Sequence, residues 1–167
     1  GDTGKLAWGY QLVHHDLWDY DSAAQPSLVT LQHDGRTIPA VIPQPQPGML
    51  FTFDRENGTP VFPIVEKPVP QDGVRGEVQS KTQPFPVAPA PLVRQGPVTK
   101  DDLPHLSMGC NLERYKSEGI FTPPSLQGSI EQPGYAGGIE WGGLAFDPQR
   151  QIAIVNTNDL PMLVALV

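Results

Sequence analysis

The chain has 167 residues, a formal net charge of −7 and a hydrophobic content of 38%. That length carries one domain with a real core. The acidic balance, without a block of Lys or Arg, excludes nucleic acid and anionic membrane as expected partners. Twenty prolines and seventeen glycines argue against long helices and for short strands, turns and extended loops. Recurrent aromatic and β-branched residues keep the chain out of the disordered class. No apolar run approaches the ~18 residues of a membrane span. The single cysteine, Cys110, has no internal partner and leaves the redox compartment open. The opening Gly1-Asp2-Thr3-Gly4 reads as a turn in progress, and 163–167 as the start of a strand. Both ends therefore read as cuts through a longer protein.

In chain order, residues 5–13 read as a strand carrying Trp8 and Tyr10. Residues 27–31 and 38–42 are short β-branched runs joined through Asp34-Gly35, a strong hairpin signal. Residues 49–53 read as the next strand, and Asn57-Gly58 as the turn into another at 60–64. Closely spaced strands of this kind form an antiparallel meander, the unit of a propeller blade or barrel. Residues 63–104 are rich in proline, which fixes φ and removes a donor. They are expected to be an extended loop, and Phe85, Val87 and Leu92 favour one packed on a surface. Thr99 with Asp101 and Asp102 resembles a helix start, and residues 111–117 a further helical turn or two. Strands are expected again at 119–122, 128–131, 141–146 and 151–156. Five glycines between Gly134 and Gly143 mark tight turns and close backbone approach.

The richest local cluster is His14-His15-Asp16-Leu17-Trp18-Asp19-Tyr20-Asp21. Two histidines, three acids and two large aromatics in eight residues need donors, water or a metal around them. Composition alone permits an exposed polar turn over a buried Trp18, and no strong metal-ligand spacing occurs. There is also an internal echo. Thr3-Gly4 is followed by Trp8, and Asn57-Gly58 by Phe62, an aromatic four residues after each glycine. Repeats of roughly 40–50 residues with several strands each point to propeller blades.

These residues carry a specific resemblance. The pattern Asp-x-x-Thr-Gly-x-x-x-Trp is similar to the tryptophan-docking motif of the quinoprotein dehydrogenases, eight-bladed β-propellers that bind pyrroloquinoline quinone (PQQ). Thr3, Gly4 and Trp8 fit it, and Asp54, Asn57, Gly58 and Phe62 fit a degenerate copy. The 14–21 cluster with Ala24-Gln25-Pro26-Ser27-Leu28, the run 51–55, Val61-Phe62-Pro63-Ile64 and Thr82-Gln83-Pro84-Phe85-Pro86 resemble the same family in order. So do Gly119-Ile120-Phe121-Thr122-Pro123-Pro124-Ser125 and Trp141-Gly142-Gly143 with Asp147-Pro148. The resemblance is strongest to the branch with membrane-bound glucose, quinate and polyol dehydrogenases.

The resemblance implies an all-β chain, a partial β-propeller of about two to three blades, with 63–104 as a loop insertion within one domain, 1–167. It implies oxidation of a sugar, polyol or alcohol hydroxyl by hydride transfer to PQQ, with calcium or magnesium as the metal. A membrane quinone or a cytochrome is the implied electron acceptor, and the periplasm the implied location. Asp19 falls on the family's catalytic aspartate, a general base beside the metal. Asn156 and Trp141 fall on positions near the cofactor; a strand-end turn residue and a blade-packing tryptophan are the respective alternatives. Asp16 and Asp21 are expected to accept loop hydrogen bonds, and His14 and His15 to support the Asp19 loop. The family's lysine ahead of the Phe-x-x-Asp-Arg strand falls on Gln46. An amide donates a neutral hydrogen bond but brings no positive charge. Losing such a donor costs about 10²–10³ in rate. That departure keeps a second reading open: a non-catalytic propeller segment used for structure or binding. Residues 101–115 diverge most, which leaves the substrate open.

Overall fold

In the computed structural model, which describes residues 2–102 and 111–167, β-structure dominates. Strands β1 (Ser27–His33) and β2 (Arg36–Ile42) pair antiparallel in the register Ser27↔Ile42 to His33↔Arg36. Asp34 and Gly35 close this hairpin with φ values of 49° and 71°. Two successive positive φ values define the type I′ turn, whose twist matches that of the flanking strands. β3 (Phe53–Asp54) joins the other edge of β2.

β4 (Ile64–Pro68) and β5 (Thr82–Pro86) form a separate antiparallel pair inside the proline-rich stretch. β6 (Ser129–Glu131) pairs with β9 (Met162–Val164), and β7 (Leu144–Asp147) with β8 (Ile152–Val155). A single 3-10 turn, Leu112–Arg114, is the helical element among the described residues. The turn at 99–102 has Asp102 accepting from the Thr99 N–H and hydroxyl at 2.7 and 2.8 Å. Any helix continuing from it, and Cys110, lie outside the described residues.

Several expected strands are not strands. Residues 5–13 run without a ladder partner among the described residues and are held by side chains. The Trp8 indole N–H donates to the Arg55 carbonyl at 3.0 Å, and Tyr10 lies 4.9 Å from the Phe53 ring. Residues 49–52 are extended, but their backbone bonds go to loops, with Val61 N donating to Thr52 O at 2.8 Å. The expected strand at 60–64 is reduced to one bridge, Phe53↔Pro60. Pro60 and Pro63 have no N–H with which to extend a ladder. Residues 119–122 form a turn closed by the Thr122 N–H and hydroxyl on the Gly119 carbonyl, at 3.1 and 2.6 Å.

Two apolar clusters share the segment 49–53. Met49, Phe51 and Phe53 pack into one with Trp18, Tyr20 and Phe121. Leu50 faces the other, with Val29, Ile38, Ala40, Ile42 and Ile139. This is period-2 alternation with both faces buried.

The two copies of the internal repeat touch. Gly58 has φ +76°, and a Cβ placed on it would lie 2.6 Å from the Trp8 ring. The indole of the first copy therefore docks on the glycine turn of the second, an approach open only to a residue without a side chain.

Candidate active site

Local hydrogen bonding shapes the Asp19 loop. Asp16 accepts from Trp18 N–H through Oδ1 at 2.9 Å and from Tyr20 N–H through Oδ2 at 2.7 Å. Trp18 and Tyr20 are buried, at 3% and 1% exposure. The Trp18 indole donates to the Thr122 carbonyl and the Tyr20 hydroxyl to the Pro133 carbonyl, each at 2.6 Å. Between these anchors Asp19 is exposed and has φ +61°, a left-handed conformation uncommon outside glycine. Upstream, Gln83 brackets His14 through two 2.7 Å bonds to its backbone N–H and carbonyl. His14 Nε2 lies 3.0 Å from Glu66, and His15 Nε2 2.9 Å from Glu77. The two histidines thus tie the loop to β4 and to the segment before β5.

Gln46 enters the site from the buried run after β2. Its N–H donates to Asp21 O at 2.9 Å, and its carbonyl accepts from Gly138 N–H at 2.7 Å. Gly138 O in turn accepts from Asn158 N–H at 2.8 Å. The Gln46 side chain is 5% exposed, and its Oε1 is buried without a partner among the described residues. Gln44 Oε1 is likewise unpartnered and lies 3.7 Å from where a Gly143 Cβ would be. The two ends of an amide are nearly isosteric, so a buried glutamine can present either its acceptor or its donor to a ligand.

The glycine-rich segment 134–143 is the meeting point. A Cβ on Gly137 would fall 2.4 Å from Glu140 Oε1 and 2.9 Å from Gln46 Cγ, so Glu140 and Gln46 meet across it. Asn156, just past β8, has its Cβ 4.0 Å from the Cβ position of Gly142. Trp141 is 81% exposed and borders a shallow cleft of about 570 Å³ between 24–29 and 141–146. Gln46 and Asn156 thus border the loop that carries Trp141, and the Asp19 loop is tied to it through Asp21 O and Gln46 N–H.

Sequence reasoning missed two acids here. Glu140 is pushed above the usual carboxylate range by burial and then by the charges of Asp21 and Asp19. Its signal was available: a carboxylate inside a glycine-dense turn has few ways to leave it. Glu131, on β6, is 2% exposed, and burial followed by the Asp16 charge raises its pKa to about 7. A glutamate on a three-residue strand carries no such mark in sequence. Among the described residues, no three His, Cys, Asp or Glu side chains gather to hold a metal ion.

The arrangement combines an exposed carboxylate, an open indole face and two amides, and it lies in a chain whose sequence matches a defined family. The chain belongs to the PQQ family described as the glucose/ethanol/alcohol dehydrogenase β-propeller domain, which matches residues 1–167. Among characterised relatives, it is 45% identical to the quinoprotein glucose dehydrogenase of Gluconobacter oxydans (strain 621H), over 99% of this chain and 21% of that protein. It is 42% identical to the quinoprotein glucose dehydrogenase of Escherichia coli (strain K12), over 99% of this chain and 21% of that protein. It is 36% identical to the quinate/shikimate dehydrogenase (quinone) of Acinetobacter baylyi, again over 99% and 21%. The chain thus spans about a fifth of the length of these relatives. No solved structure matches it significantly.

Proposed function

We propose that this chain carries one side of the active site of a PQQ-dependent dehydrogenase that oxidises a hydroxyl of a sugar, polyol or alcohol. The observation that carries the reading is the approach of Gln46 and Asn156 to the loop 137–143, which bears Trp141. The Asp19 loop is tied to it through Asp21 O on Gln46 N–H, and Glu140 feels the Asp19 charge. The side chains fit a flat, oxygen-rich quinone. Trp141 offers an open aromatic face, and the buried Gln46 amide oxygen has no partner among the described residues. PQQ, when bound, supplies a hydride acceptor. Asp19 accepts the hydroxyl proton as general base, and its exposure leaves it open to substrate. Gln46 and Asn156 orient the ligand by neutral hydrogen bonds. Asp19, Asp21 and Glu140 make this region acidic, a field that would suit a calcium or magnesium ion. In this reading Asp19 is the residue of this chain that would hold the metal, which would polarise the cofactor. A partial propeller of two to three blades is part of this reading, and the docking of Trp8 on Gly58 supports packing between repeats. A periplasmic location, and electron delivery to a membrane quinone or cytochrome, complete the reading by analogy with the family.

The test is Asp19→Asn in the full-length protein, loaded with PQQ and calcium and assayed by substrate-dependent dye reduction. Loss of turnover of about 10² or more is expected, with cofactor binding retained. Wild-type turnover in the variant sinks the base assignment. The second reading, a non-catalytic propeller segment, is favoured by one observation: an uncharged Gln46 where the family carries lysine. It predicts no substrate-dependent reduction by the loaded wild-type protein.

A further inference from the structure

We propose that Asp16 is a positioning residue, a carboxylate clamp that grips the main chain on both sides of Asp19 and holds that acid in its left-handed, outward conformation. The inference rests on the reading of Asp19 as the base. A non-glycine residue at φ +61° sits in a sparsely populated region, and something must over-determine it. Asp16 supplies the local part, since its two oxygens take the N–H groups of residues 18 and 20 and leave residue 19 bridged between them. The neighbouring side chains supply the rest. Trp18 stacks on Tyr20 with ring centroids 5.9 Å apart, and both meet Phe121 edge-on, at 5.1 and 6.0 Å. Their polar tips are tied to carbonyls at Thr122 and Pro133. With 18 and 20 fixed inward, 19 has one way to face.

The clamp works only with an ionised Asp16, because a protonated oxygen no longer accepts as strongly. Its surroundings oppose that state. Burial raises the Asp16 pKa, the Trp18 and Tyr20 N–H groups lower it, and the charges of Asp19 and Asp21 raise it again. The buried Glu131 faces it as a further carboxyl, and Tyr20, raised well above its ordinary value by burial, stays neutral. Among the described residues, Asp19, Asp21, Tyr20 and Glu131 are the titratable groups acting on this clamp, and none of them is a cation.

The experiment compares Asp16→Asn, Asp16→Ala and Asp19→Asn in the full-length protein, with turnover expressed per cofactor-loaded site. Asp16→Asn replaces one acceptor by a donor facing an N–H. It is expected to lower kcat about tenfold, and Asp16→Ala about 10²-fold, with KM changed far less. The acid limb of the kcat–pH profile flattens in both variants. Independently of cofactor, hydrogen exchange at the Trp18 and Tyr20 amides accelerates by about tenfold or more. If Asp16→Ala does not fold, Asp16→Asn carries the test. If Asp19→Asn abolishes turnover while the Asp16 variants keep wild-type kcat and amide protection, the clamp is overturned and the base assignment stands. If Asp19→Asn keeps wild-type turnover, the base assignment fails and the inference fails with it.

Discussion

Glu131 has almost no contact with water and a pKa near 7, whereas an unfolded glutamate titrates near 4.3. Its folded form holds its proton to higher pH than the unfolded one. Stability from this group is therefore complete at low pH and falls as pH rises through about 7, because ionisation buries a charge and, secondarily, places it beside Asp16. The window of 4.3 to 7 corresponds to about 4 kcal/mol at most. Glu131→Gln should match the wild type near pH 4 and exceed its stability above pH 8, as read by denaturation at both pH values. Gln46 invites the opposite manipulation. Asp19, Asp21 and Glu140 act on one another there, so a lysine ammonium would meet compensating charge despite its burial. Gln46→Lys is expected to raise turnover by about 10–10², measured by the same dye assay. At this scale the acid-aromatic cluster was legible because so dense a mixture needs partners, and Asp16 found them in the main chain. Glu131 was not, because its importance comes from burial that only tertiary packing creates.

At the scale of elements, local chemistry was readable where it was self-sufficient. Asp34-Gly35 specifies its turn by backbone conformation alone, and the β1–β2 hairpin forms around it. The runs at 5–13 and 119–122 have strand-like residues, but composition does not say where a ladder partner lies. One run is held instead by aromatic docking, and the other is bent by a threonine hydroxyl. Trp8 and Gly58 offer a quantitative check on the repeat. Trp8→Ala should cost about 2–4 kcal/mol. Gly58→Ala should cost roughly 1–3 kcal/mol, through positive φ and collision with the indole. Because both remove the same contact, the double variant should cost less than the sum, in a cycle read by chemical denaturation. Additive losses would mean that the two copies do not communicate through this joint.

The whole chain leaves apolar side chains in the open: Leu28 at 65% exposure, Ile154 at 64% and Leu163 at 50%. Exposed apolar surface and short strand edges of this kind favour association. Residues 1–167 produced alone should bind a hydrophobic dye and associate with rising concentration, by dye fluorescence and size-exclusion chromatography. The full-length protein should do neither to the same extent. The way the site segments are joined has a further consequence. Asp21 O to Gln46 N, Gln46 O to Gly138 N and Gly138 O to Asn158 N form a relay of three main-chain bonds. No side chain takes part in it. Position 46 can therefore change its side chain without breaking the frame, so the Gln46→Lys variant should keep these three main-chain bonds. A site framed in this way is open to inheritance of new specificity one residue at a time.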